Sequence, residues 1–374
     1  MKVMLELEKL ELDYPERALL VYTSRITITE TEKEKIRRLV YSKKINWFEF
    51  AKYALFHKTI VLCWKNINEI CSSHNMPKYL DECIRYMYVC NKLRNRRNLE
   101  QRDLLKKKCS NKGITCIPVK GAYLMDALYE DYGVRYSGDM DFLIRYEDID
   151  TLKEILNEMG YVNGTYSTKT NQIIPLSRGK ELMWKMYMSN LAPFFKDSGN
   201  LFFPYYKLDF RYALDDKLDK EPIREMVNQT IKKGGTMPCH YLIHLCTHFY
   251  DEAKHSVTIA KFKDVNMIKL CDIREFILKY VSDDELMRTI EFCHRHNLTQ
   301  ALYYTMFFLD QIYTDGYEKK IMDCIKIEDT SFLNTFGDST IENTYLYQKD
   351  VMERFFSCGN VDELMETPKY FEEV

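Results

Sequence analysis

Apolar residues recur at helical spacing through most of the first third of the chain. Thr29 and Thr31, followed by Glu32 and Glu34, predict a helix start. Trp47, Phe48, Phe50, Ala51 and Leu55 then make one stripe, and Leu80, Cys83, Ile84, Met87 and Cys90 make another at i, i+3, i+4 and i+7. From Asn91 to Lys108 (NKLRNRRNLEQRDLLKKK) the pattern predicts a long helix with one solvated polar side and only Leu93, Leu99, Leu104 and Leu105 inward. Asn111-Lys-Gly113 should end it. The periodicity then shortens. Ile114 to Val119 reads as a strand whose Pro118 suits a strand end or edge, since proline has no amide hydrogen to give. Asp139 to Arg145 reads as a second strand, and Thr151 to Met159 as a helix closed by Gly160. Asp148 and Asp150 stand where they would cap that helix. Glu181 to Met188 and Leu201 to Tyr212, rich in aromatics and parted by a Pro/Lys/Asp/Gly loop, are expected to be further strands. Helical spacing returns at Pro238 and lasts to about residue 325. Gly337 to Val374 is weakly patterned and is expected to be a docked or partly mobile tail. The division that follows is a helical region over 1–110, an α/β core over 111–235, and a helical region with its tail over 236–374.

Composition narrows the class. Hydrophobic content of 46% and charged content of 29% in 374 residues are ordinary for a globular protein large enough for two or three domains. The net charge of −2 offers no global basic field for nucleic acid or an anionic membrane. The best apolar run, Thr59 to Trp64, is far too short to span a bilayer, and MKVMLELEKLELDYPE lacks the apolar centre of a signal peptide. The twelve cysteines are scattered, without Cys-x-x-Cys, and many sit on apolar faces. Reduced core thiols in a cytoplasmic protein are the expectation, with no membrane partner.

The chemistry is concentrated between Pro118 and Arg145. An apolar strand ends in Lys120-Gly121, a short amphipathic stretch follows, and Arg135-Tyr-Ser-Gly-Asp139-Met-Asp141 leads into Phe142-Leu143-Ile144. Residues at i and i+2 of a strand share a face, so Asp139 and Asp141 lean the same way with Cα atoms roughly 6–7 Å apart. Met140 points into the core. Carboxylates so spaced suit one divalent ion or two ions about 3.5–4 Å apart. With 56 Asp and Glu in the chain, acid-x-acid triplets also arise by chance, as at Glu30-Thr-Glu32 and Asp148-Ile-Asp150. Asp139 and Asp141 differ because they open an apolar strand, where unpaired carboxylates are costly. They also follow a Lys-Gly turn before a helix, where free amide hydrogens and Lys120 favour phosphate and Gly121 lets a ligand approach the backbone.

The pattern Lys-Gly, helix, Arg-x-Ser-x-Asp-x-Asp-apolar-apolar resembles the nucleotidyltransferases of the DNA polymerase β superfamily. It is most similar to a bacterial branch usually labelled "nucleotidyltransferase family protein", with its KGaaL…lY…R…sDiDlLv signature. Lys120, Gly121, Ala122, Leu124, Tyr129, Arg135, Asp139, Asp141, Phe142 and Leu143 sit on that signature. The likeness covers roughly residues 40 to 280. Two features differ from the wider pattern: the superfamily's Gly-Ser turn is Lys120-Gly121 here, as in that branch, and the branch's Asp-x-His on a later strand is Asp209-Phe-Arg211. The resemblance implies an α+β fold, a small mixed-sheet polymerase-β-like core flanked by N-terminal and C-terminal helical regions. It also implies Mg2+ (or Mn2+) and an NTP as co-substrate.

Two-metal transfer needs a third carboxylate from a neighbouring strand to hold and activate the attacking hydroxyl. In PYYKLDFRYAL, Leu208 and Phe210 face the core while Lys207, Asp209 and Arg211 share the other face, which makes Asp209 the candidate. A surface Asp in a charged stripe is the plain alternative. The expected catalytic and metal-holding set is therefore Asp139, Asp141 and Asp209, with Lys120, Gly121, Arg135, Ser137 and Arg211 toward the nucleotide. Arg135 and Arg211 either reach phosphate or only brace the loop and Asp209. The expected reaction moves an NMP group from an NTP to an acceptor hydroxyl and releases pyrophosphate. A small molecule, peptide or protein acceptor is favoured over nucleic acid. Two other classes stay open: a non-catalytic nucleotide-binding regulator, and a zinc hydrolase using His240, His244 and His248. Those histidines repeat every four residues on one helix face, but lack the adjacent Glu of a metalloprotease helix. The resemblance sets that helix beside the nucleotide cleft, where His244 or His248 would meet substrate.

Overall fold

The computed structural model describes residues 7–42, 44–255, 258–259, 264–313, 315–337, 345–347 and 351–357. The chain forms two compact units, one from Met1–Arg85 with Leu245–Val374, the other from Tyr86–His244. The first unit opens with α1 (Leu7–Asp13) and α2 (Pro15–Thr23), which buries Ala18 to Tyr22. Next come α3 (Glu30–Tyr41), α4 (Trp47–Phe56) and α5 (Ile60–Ile70). The start predicted at Thr29 is a capping box, in which Thr29 and Glu32 each take the other's backbone amide. In α4 the inward stripe is Trp47, Phe50, Ala51, Tyr53 and Ala54, whereas Phe48 and Leu55 are exposed. Counting apolar letters alone sets that stripe about a fifth of a turn off.

The second unit carries the sheet. Helix α6 (Lys78–Asn111) runs 34 residues and stops at the Asn-Lys-Gly signal, with Gly113 at φ 74°. After it come β1 (Ile117–Val119), α7 (Gly121–Ala127), β2 (Met140–Leu143), a single 3-10 turn at Tyr146–Asp148 and α8 (Ile149–Glu158). Asp148 does not cap α8 with its side chain. Arg145 holds its carboxylate instead, donating from Nε at 2.7 Å and from Nη2 at 3.1 Å. Then follow β3 (Val162–Ser167), β4 (Gln172–Pro175), α9 (Arg178–Tyr187), β5 (Phe194–Asp197) and β6 (Tyr205–Arg211). Among the described residues the sheet order is β1-β2-β6-β5-β3-β4. Only the β2–β6 pair is parallel; the other neighbours are antiparallel. The sheet is therefore mixed, and helices α10 (Glu221–Lys233) and α11 (Pro238–Lys254) lead out of it.

Pro118 lies in the edge strand β1, where its missing donor costs nothing. The segment Glu181 to Met188, expected as a strand, is helical in α9 through Tyr187, with Met188 as its C-cap. Ser177 accepts the Lys180 amide at its N-terminus, and the apolar residues do not alternate. The hairpin β3–β4 escaped notice because its residues are mostly polar and half-exposed. Burial alternates strictly along β6, with Tyr206, Leu208 and Phe210 inward. These pack with Met140, Phe142, Ile144, Leu152, Ile155 and Leu105 into one core on one face of the sheet. The opposite face carries Asp141, Lys207, Asp209 and Arg211 beside the buried Ile117, Val119, Leu143 and Phe195.

The first unit is completed by the C-terminal part of α11 and by α12 (Met267–Tyr280), α13 (Asp283–Arg295), α14 (Thr299–Ile312) and α15 (Tyr317–Ile325). A short β7–β8 pair (Thr335–Phe336 and Tyr345–Leu346) and α16 (Val351–Phe356) follow. Of the expected tail, 338–344, 348–350 and 358–374 lie outside the described residues. Among the described residues no helix is long and apolar enough to cross a membrane.

Candidate active site

The register of β2 against β6 decides the geometry. Met140 faces Leu208 and Phe142 faces Phe210 on the core side, so Asp141 and Asp209 stand side by side on the open face. Asp139 comes just before β2. The Lys207 ammonium lies 3.1 Å from Asp139 Oδ2 and 2.6 Å from Asp209 Oδ2, so one cation spans two carboxylates. Lys120 Nζ lies 2.6 Å from Asp141 Oδ1. Asp139 is the most open of the three, at 43% side-chain exposure against 16% for Asp141 and 14% for Asp209. Burial pushes the Asp209 carboxyl up to about 6; Lys207 pulls it down, and the charges of Asp139 and Asp141 add to the rise. Burial works against the Lys207 ammonium, but Asp139 and Asp209 overcome it and hold its pKa above the ordinary lysine value.

The Lys120-Gly121 turn is built more tightly than a bare phosphate loop. Lys120 has φ 46° and ψ −132°, a conformation that L residues rarely adopt, and it starts α7 without a side-chain cap. A Cβ on Gly121 would meet Ser137 Oγ at 2.2 Å and Arg135 Nη1 at 2.9 Å. Glycine is thus required by the loop packed on it, which gathers the Ser137 hydroxyl and the Arg135 guanidinium at the turn. Ser137 Oγ also donates to the Asp139 carbonyl at 3.1 Å, tying this cluster to the carboxylates. Gly121→Ala is expected to cost about 1–3 kcal/mol, as overpacking does. Denaturant unfolding of the variant checks it, and an unchanged midpoint would contradict the packing.

What holds the 132–137 loop is a polar stripe on α6. Asn91, Asn95, Asn98 and Arg102 recur at i, i+4, i+7 and i+11 and are all buried. Asn95 Nδ2 donates to the carbonyls of Tyr132 at 2.6 Å and Arg135 at 2.7 Å. Asn91 donates to Gly133 O at 3.2 Å, and Asn98 to Ser137 O at 3.4 Å. Arg102 reaches the Ala122 carbonyl at 2.8 Å and Asp126 at 2.7 Å, anchoring α7. Sequence reasoning turned this side to solvent and pointed Leu104 inward, yet Leu104 is exposed. The usable signal was the helical recurrence of Asn itself, a residue with little reason to repeat on a free face.

Arg211 lies beyond Asp209 on the same face, and its Nη1 donates to the Leu214 carbonyl at 3.0 Å. His240 and His244 are buried, and His248 Nε2 sits 3.2 Å from Glu252 on its own helix. Among the described residues no group of three or more His, Cys, Asp or Glu side chains is arranged to hold a metal ion, the histidine trio included. At the carboxylates, Lys207 lies against Asp139 and Asp209, and Lys120 against Asp141. The described cysteines are mostly buried.

A family model described as an uncharacterised nucleotidyltransferase matches residues 43–314. No curated protein and no solved structure matches the chain.

Proposed function

The chain belongs to the uncharacterised nucleotidyltransferase family, and from that premise we propose that it moves an NMP group from an NTP to an acceptor hydroxyl. The observation that carries this reading is the in-register placement of Asp141 and Asp209 on parallel strands, with Asp139 joined to Asp209 through Lys207. The donor set fits a hard divalent cation: it is all carboxylate oxygen, and it already accommodates positive charge in the form of two ammoniums. Asp139, Asp141 and Asp209 would hold Mg2+ or Mn2+, which when bound stabilises charge on the attacking and departing oxygens.

The chain's own residues do the rest. Lys120, Arg135 and Ser137, gathered round Gly121, hold the triphosphate, and Arg211 adds charge at the far end of the same face. Asp209 accepts the proton of the acceptor hydroxyl as its oxygen bonds to the α-phosphorus and the bond to pyrophosphate breaks. An acceptor other than nucleic acid is supported by how the basic residues of α6 are used. Arg102 is paired with Asp126, Arg97 with Glu100, Lys92 with Asp131 and Lys108 with Glu158, so acids already engage half of the eight basic residues between 91 and 108. The test is pyrophosphate release from each NTP with magnesium against a broad acceptor screen. Nucleotide binding without release under any acceptor would favour the regulator instead.

This reading has a pH signature. Asp209 must be ionised to hold a cation, so Mg2+ affinity should fall about tenfold per pH unit below about pH 6. The group titrates above its ordinary 3.8, so its contribution to stability is present at acid pH and lost as the pH rises through about 6. Mg2+ titration at several pH values checks this, and Asp209→Asn should flatten the profile.

A further inference from the structure

A cavity of about 100 Å3 lies between α8 and α9. Its position is fixed by register. Asn163 pairs with Phe194, and Phe194 with Leu208, so Asn163 points to the core side of the sheet, opposite the carboxylates. Tyr212 follows Phe210 on that same side. The cavity is therefore separate from the transfer site.

Its lining is unusual for a void in a core. Asn163 spends its amide hydrogens on the carbonyls of Ala192 at 2.6 Å and Pro193 at 3.4 Å, and its Oδ1 is buried without a hydrogen-bond partner among the described residues. Such an acceptor calls for an N–H or O–H from a guest. Trp184 donates its indole hydrogen to Asn190 Oδ1 at 3.2 Å, which leaves its ring as an apolar wall with Tyr146 and Tyr212. Two charges of opposite sign stand at the rim. Asp150 and Lys185 are exposed, and neither forms an ion pair among the described residues, whereas Glu181 is committed to Lys153 at 2.6 Å. The space is too small for a nucleotide, since pockets for larger ligands run to roughly 300 Å3 and above.

We propose that this cavity binds a small zwitterion of the α-amino acid class. The ammonium group meets Asp150 and the orphaned Asn163 oxygen, the carboxylate meets Lys185, and the side chain lies against Trp184. This assignment is independent of the transfer reading.

The test uses the full chain, with melting curves and calorimetry against each standard L-amino acid at millimolar concentration, and butylamine and acetate as half-ligand controls. At least one amino acid should raise Tm with increasing concentration. Its binding should weaken about tenfold or more in both Asp150→Asn and Lys185→Gln, two exposed positions where the fold tolerates the change. No shift with any amino acid would overturn the proposal and leave Asn163 to a buried water. So would binding that both variants leave intact, or butylamine binding as tightly as the amino acid.

Discussion

Asp141→Ala is expected to lower NMP transfer by about 10^3-fold or more, because a lost metal ligand removes several kcal/mol of charge stabilisation in the transition state. The fold should survive. Asp141 faces Asp209 in register, and its charge helps push the Asp209 carboxyl up, so its removal relieves repulsion. The cost is the lost 2.6 Å contact with Lys120, a mostly buried pair whose stranded ammonium costs up to about 3 kcal/mol. Pyrophosphate release and a thermal melt on the same preparation check both halves. Unreduced turnover would contradict the role given to Asp141, and a collapsed fold would leave Asp141→Asn as the variant to measure.

Asn95→Ala should lower stability by about 2–4 kcal/mol. The carbonyls of Tyr132, partly buried, and Arg135, buried, lose their donor, and each stranded group costs about 1–3 kcal/mol. Part is returned because Asn95 Oδ1 is itself buried without a partner among the described residues. Arg96→Ala, one residue along on the exposed side, should stay within about 0.5 kcal/mol. Urea unfolding of the two variants checks the contrast. Equal effects would mean that the Asn stripe does not hold the loop. Because that loop carries Arg135, Ser137 and Asp139, nucleotide binding should weaken in Asn95→Ala along with stability.

The strand-turn-helix-strand run from Ile114 to Ile144 was legible because each signal in it is local: an apolar run, a Lys-Gly turn, an acid-x-acid pair opening a second apolar run. Asp209 was legible through the period of two along β6, which assigns Lys207, Asp209 and Arg211 to one face whatever the sheet order. Other features depend on packing between distant segments. A pattern of apolar letters cannot show that Asn91, Asn95, Asn98 and Arg102 face inward, because their partners are backbone carbonyls that any sequence supplies. It could not show that Gly121 is required by Ser137 and Arg135 rather than by a ligand. The Glu181–Met188 segment misled for a different reason. Its large side chains suit a strand, yet Ser177 before it and Lys185 near its end suit a helix, and α9 buries none of its own residues.

The most direct test of the central claim is thermal stabilisation by ATP and the other NTPs with and without Mg2+, alongside metal analysis of the purified protein. Oxygen ligands favour magnesium or manganese, whereas imidazoles retain zinc. The account predicts no stoichiometric zinc. It predicts a Tm rise that needs both nucleotide and Mg2+, equivalent to about 2.7 kcal/mol at a hundredfold excess over Kd, absent in Asp139→Ala and retained in His244→Ala. One tightly held zinc per chain, lost on changing His240 or His244, or nucleotide stabilisation indifferent to Mg2+ and to Asp139, would contradict it.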